Sequence, residues 1–151
     1  DRIYVNIDQA TTFGTEGRVA YNIDQLAPYV QLTWIRRKFE RSEYETYDTG
    51  LPTVSSRLGV EYSKDLDSDS TLWSDLYLRL SSESDEFDGA KNEHKAGWTT
   101  LNVATGLDFG EKRQYKVALE LLNLLDKEYT PATENIPGKG VTALLRAAIS
   151  F

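Results

Sequence analysis

The single histidine, His94, stands between Glu93 and Lys95 in a charged stretch. An imidazole there could ligate a metal ion or haem iron, which makes His94 the one ligand-contact candidate. A transition-metal site needs further ligands, and no second soft ligand lies near it in sequence. The plain reading is a solvated loop histidine. Asp65, Asp67 and Asp69 have the spacing that opens a calcium loop. Ser70 replaces the glycine of that loop, and Leu76 replaces its closing glutamate, so a solvated turn is expected. Asp85, Glu86 and Asp88 offer oxygen ligands to a cation, but an ordinary charged loop explains them equally. The chain contains no cysteine, which excludes disulfides, thiol nucleophiles and zinc-thiolate sites. No Ser/His/Asp spacing and no paired acids point to catalysis, so neither an enzyme nor a cofactor is expected.

Composition narrows the classes further. The 151 residues suit one domain, and a net charge of −7 argues against a nucleic-acid partner, which needs a basic face. Mean hydropathy is −0.49, and no apolar run approaches the ~18 residues of a membrane helix. Strands of a membrane barrel alternate between lipid and lumen and average out as polar, so this value does not separate a soluble chain from a barrel. The aromatics, with Tyr 9, Phe 5 and Trp 3, are numerous enough for interfacial girdles.

The elements that must position these residues are strands. Val141, Ala143, Leu145, Ala147, Ile149 and Phe151 fall at every second position, the period of a strand with one apolar face. In the first segment, Ile3, Val5, Ile7, Phe13, Val19, Tyr21 and Ile23 alternate with Tyr4, Asn6, Asp8, Thr12, Glu16, Arg18 and Asn22. Gly14 and Gly17 could divide that segment into two strands at a bulge. Further alternating runs are expected at about 29–41, 53–63, 71–83, 97–109 and 113–123. One phase carries Leu76, Leu78, Leu101, Val103, Val117, Leu119 and Leu121. The other carries Arg18, Arg57, Glu61, Asp75, Arg79, Glu120 and Arg146. Residues 42–52, 84–96 and 124–139 are expected as long loops. Between them the connections at 24–28, 64–70 and 110–112 are short. Alternating short and long connections fit an antiparallel up-and-down barrel, and charges facing lipid would be costly. Trp34 and Trp98, near strand ends, are expected in the girdle; Trp73, on the charged phase, has no assigned role.

Several stretches resemble one family. Asn6-Ile7-Asp8-Gln9-Ala10 with Gly14 and Glu16, and Gly97-Trp98-Thr99-Thr100-Leu101-Asn102, resemble strand starts in TonB-dependent outer-membrane receptors. The most specific match is Asn123-Leu124-Leu125-Asp126-Lys127-Glu128-Tyr129, then Pro137-Gly138, then a terminal strand ending on aromatic Phe151. The family commonly has Phe where Leu125 stands, Arg where Lys139 stands, and often Gly where Arg146 stands.

The resemblance implies a transmembrane β-barrel of twenty-two strands filled by a plug, of which residues 1–151 would supply the last seven strands as part of one barrel domain. It implies transport of an iron complex, either ferric siderophore or haem, across the bacterial outer membrane. The implied partners are outer-membrane lipid, the rest of the barrel and plug, the barrel-assembly machinery, and TonB acting through the plug. Leu145, Ile149 and Phe151 would form the insertion signal. Asn123, Leu124, Asp126 and Tyr129 would form the family motif, read as structural. Two alternatives remain open: a self-contained eight-stranded barrel (adhesin, structural or lipid-modifying), made by splitting the first segment, and a soluble β-sandwich binding module.

Overall fold

In the computed structural model, residues 9–132 and 136–150 are described. Phe151 of the expected insertion signal lies outside them, as do Ile3, Tyr4, Val5, Asn6, Ile7 and Asp8 of the first segment. The strands are β1 (Gln9–Ala20), β2 (Leu26–Glu40), β3 (Glu45–Thr46), β4 (Val54–Asp65), β5 (Thr71–Ser81), β6 (Ser84–Phe87), β7 (Asn92–Lys95), β8 (Trp98–Phe109), β9 (Tyr115–Leu122) and β10 (Thr142–Ile149). The fold is all-β and antiparallel. The main sheet runs β1-β2-β4-β5-β8-β9-β10, with β3 attached to β2, while β6 and β7 pair separately. Among the described residues β1 and β10 do not pair, so the sheet is open.

The long strands follow the period-2 pattern, and each pairs with its neighbour in the main sheet. The segment at Gly14–Gly17 is not broken. Register runs from Gln9↔Glu40 to Ala20↔Tyr29 one residue at a time, so the ladder with β2 keeps β1 continuous and no eighth long strand arises there.

Residues 84–96 are not a structureless loop. They form the β6–β7 hairpin, with Asp85 opposite His94 and Phe87 opposite Asn92. Asp88 turns the chain: its Oδ1 accepts the backbone N–H groups of Ala90 at 2.9 Å and Lys91 at 2.8 Å. Those bonds hold its carboxyl below the usual carboxylate range. Gly89 follows at φ 100, a conformation glycine adopts without strain. The expected loop at 42–52 is also tied down. Gly50 donates to the Asp85 carbonyl at 2.8 Å, and Phe87 donates to the Asp48 carbonyl at 2.9 Å. Tyr44 and Phe87 meet edge to face with ring centroids 4.9 Å apart.

The sheet is polarised in an unusual sense. Its buried side chains are mostly polar: Asp75, Thr100 and Asn102 are buried, whereas among the described residues only Tyr29 and Tyr77 form a buried hydrophobic core. The apolar side chains lie on the opposite face and are open. Val30, Leu32, Val60, Leu76, Val117, Leu119 and Leu145 are 39–76% exposed. Val60↔Leu76↔Val103↔Leu121 pair across β4, β5, β8 and β9, which gives one continuous apolar band.

Candidate functional site

The polar face is built as transverse rows, because antiparallel register puts inward residues of successive strands side by side. One row reads Arg18, Gln31, Arg57, Arg79 and Thr100. Two pleats nearer the short turns, a second reads Ala27, Glu61, Asp75, Ala104 and Glu120. Between them lies a row of Tyr29, Gly59, Tyr77 and Asn102. An arginine row and a carboxylate row therefore flank a tyrosine row, about 13 Å apart over four residues.

Charges pair across these rows. Arg18 reaches Glu61 at 2.6 Å. Arg57 binds Asp75 through Nη2, and the Tyr29 hydroxyl donates toward both Asp75 oxygens at 3.1 Å. The Arg57 guanidinium lies 3.6 Å from the Tyr77 ring centroid, a cation–π contact. Tyr77 donates to Glu120 at 3.3 Å, and Arg146 pairs with Glu120 at 3.1 Å.

Two inward glycines make room for the rings. A Cβ on Gly59 would stand 2.7 Å from the Tyr29 hydroxyl oxygen, and one on Gly106 would stand 2.5 Å from Trp73 Cζ2. Each glycine pairs directly with the aromatic that covers it. Trp73 thus gains a role that its sequence position did not suggest: it covers Gly106 and donates its indole N–H to Asp108 at 3.2 Å. Trp98 departs from the girdle expectation. It pairs with Ser81, in phase with Arg79 and Asn102, and so belongs to the polar face. There it packs against Tyr129, with centroids 4.5 Å apart, and beneath Arg79 at 5.5 Å. Trp34 keeps the apolar phase and meets Phe13 at 5.5 Å.

The four motif residues are brought together where β9 leaves the sheet. Asn123 is buried, with φ 53. Its Nδ2 donates to the carbonyls of Lys127 at 3.0 Å and Lys139 at 3.1 Å, and its Oδ1 accepts the Lys127 N–H at 2.9 Å. Its own N–H donates to Asn102 Oδ1 at 3.0 Å. Leu124 donates its N–H to the Leu101 carbonyl at 2.8 Å. Asp126 accepts the Val141 N–H at 3.2 Å, which ties the start of the loop to its end. The Tyr129 carbonyl accepts the Gly138 N–H at 2.7 Å, and its ring occupies the space a Cβ on Gly138 would need. All these bonds satisfy backbone groups that a loop would otherwise leave bare. Leu145 and Ile149 stand on the apolar face opposite Leu119 and Tyr115, exposed by 76% and 57%.

His94 borders an open cleft of about 1060 Å³ that it shares with Asp126, Tyr129 and Pro137. Its Nδ1 lies 2.8 Å from Asp85 Oδ1. This hydrogen bond raises the imidazole pKa above its ordinary value. A raised folded pKa means that the pair stabilises the hairpin below the unfolded pKa and stops doing so as pH rises through the folded one. Both side chains are about half exposed, so the effect is weak. An NMR titration of the His94 ring should give a pKa above that of a free histidine, and Asp85→Asn should bring it back down. An unchanged titration in that variant would disprove the pairing.

Among the described residues no group of three His, Cys, Asp or Glu side chains is placed to hold a metal ion. Asp65 instead binds Thr71 at 2.7 Å and Arg113 at 2.8 Å, and Asp67 accepts the Asp69 N–H at 2.8 Å. A second cleft, of about 500 Å³, opens on the polar face between the arginine row and the long connections. Comparison with protein-family models, with curated proteins and with solved structures found no match to the chain.

Proposed function

We propose that this chain is wall and closing sector of a bacterial outer-membrane β-barrel, the carboxy-terminal part of a TonB-dependent receptor for an iron complex such as a ferric siderophore or haem. The observation that carries the barrel reading is the inverted sheet: apolar side chains open on one face, charges paired on the other with Asp75 buried among them. Water disfavours so broad an exposed apolar band, whereas hydrocarbon accepts it. Strand lengths agree. β4, β5 and β8 have 12, 11 and 12 residues, and a tilted crossing needs ~9–11. The two open sheet edges would be satisfied by the remaining strands, since unpaired backbone in lipid is costly.

The receptor assignment is the narrower step. It is supported by the motif at Asn123, Leu124, Asp126 and Tyr129, whose side chains and backbone clamp the last long loop. On this reading the plug, TonB, the assembly machinery and the iron complex are the partners. The eight-stranded alternative loses its basis with the continuity of β1.

Three measurements test the reading. Spin labels at positions 119 and 120 in the membrane-inserted protein should report lipid and water respectively; the reverse order would sink the face assignment. Leu119→Arg should lower folded stability in bilayers by about 2–4 kcal/mol, as for a mid-bilayer lipid-facing site. Deleting the gene should abolish uptake of one ferric complex, with rescue only in cells that have TonB. Uptake restored equally without TonB would overturn the receptor assignment and leave the barrel reading standing.

A further inference from the structure

We infer that the arginine row is a binding site for a small polyvalent oxyanion, carboxylate or phosphate, entering from the long-connection side of the polar face. Arg57 and Arg79 stand directly opposite each other in the β4–β5 register. Like charges so placed repel unless something neutralises them. Asp75 neutralises Arg57. The equivalent place in the carboxylate row on β8 is Ala104, and Arg79 makes no ion pair among the described residues. Its guanidinium carbon lies 5.5 Å from the Trp98 ring centroid, and both residues line the cleft. A guanidinium with no carboxylate partner keeps donors for a planar or tetrahedral oxyanion.

Arg57 adds an independent sign. Its Nε–H is buried and has no hydrogen-bond partner. An orphaned charged donor of this kind is costly unless something accepts from it. The cleft that Arg57 and Arg79 line also presents Gln31, Thr33 and Ser55, all able to donate, and among the described residues no carboxylate lines it. The acids sit two pleats away, toward the short turns.

The inference stands on the rows of the sheet and not on the membrane reading. Heat-modifiable migration on a gel reports barrel assembly separately, so the two can fail independently. The test is calorimetric titration of the full-length protein in detergent micelles with citrate and with inorganic phosphate. Glycerol serves as an uncharged control. Saturable binding of citrate, phosphate or both is expected, and which of them binds separates carboxylate from phosphate recognition. Arg79→Gln should weaken it about tenfold or more, as for loss of a charge-assisted hydrogen bond. Lys91→Gln, at the hairpin tip, changes net charge equally and should leave affinity unchanged. No saturable heat, or equal weakening by both variants, overturns the site. If Arg79→Gln does not fold, Arg79→Lys decides: it keeps the charge but loses the fork, so weaker affinity supports the site and unchanged affinity overturns it.

Discussion

Asn123→Ala is expected to destabilise the folded protein by about 3 kcal/mol, because several backbone groups lose their partner at once. The Asn123 side chain satisfies the Lys127 N–H and the Lys127 and Lys139 carbonyls. Alanine offers nothing to any of them. It would also have to hold φ near 53, a region asparagine tolerates better than alanine. Two further variants separate the causes. Asn123→Gly relieves the backbone and removes the bonds. Asn123→Asp keeps the acceptor for Lys127 and loses the donor, so it should cost about half as much as alanine. Urea unfolding followed by tryptophan emission would measure all three. An alanine variant within about 0.5 kcal/mol of wild type would show that the loop stands without its clamp.

The second large effect centres on Asp75. Asp75→Ala should cost about 2–3 kcal/mol, at or just below the ~3–5 kcal/mol for breaking a fully buried ion pair. The carboxylate side chain is 11% exposed but its partner Arg57 is 38% exposed, so water softens the loss. Two groups are stranded together, the Arg57 guanidinium and the Tyr29 hydroxyl. Removing both charges should be far milder. Asp75→Leu combined with Arg57→Leu should recover most of the stability, since well-packed apolar pairs often replace buried ion pairs without loss. Additive losses in the double variant would mean that the two residues do not act as a pair.

Much of this architecture is legible in the sequence. In β9 every second residue is apolar, and in β4, β5 and β8 most are, so both the strands and their faces could be read. The β6–β7 hairpin was hidden because Asp85, Glu86, Glu93, His94 and Lys95 put charge on both faces and erase the period. Its turn was nonetheless written as Asp88-Gly89, a pair that favours tight turns. Trp98 shows a different failure. Its phase with Asn102 already placed it among polar side chains, yet the expectation of an interfacial tryptophan outweighed that phase. The Tyr29–Asp75 contact joins residues 46 positions apart through an intervening strand. Alternation within one strand carries no information about such a pairing, which needs the register of three.

The stitching of β6 to the segment after β3 has a mechanical consequence. Asp48, Gly50 and Thr49 hydrogen-bond or bridge to Phe87, Asp85 and Glu86, so two connections far apart in sequence share one short ladder. They cannot fray one at a time. Loosening either exposes amides on both, and the pair opens as one cooperative unit with one protection against exchange and one susceptibility to proteolysis. Whatever bends this rim therefore bends two connections together, and a ligand that grips one of them stiffens the other.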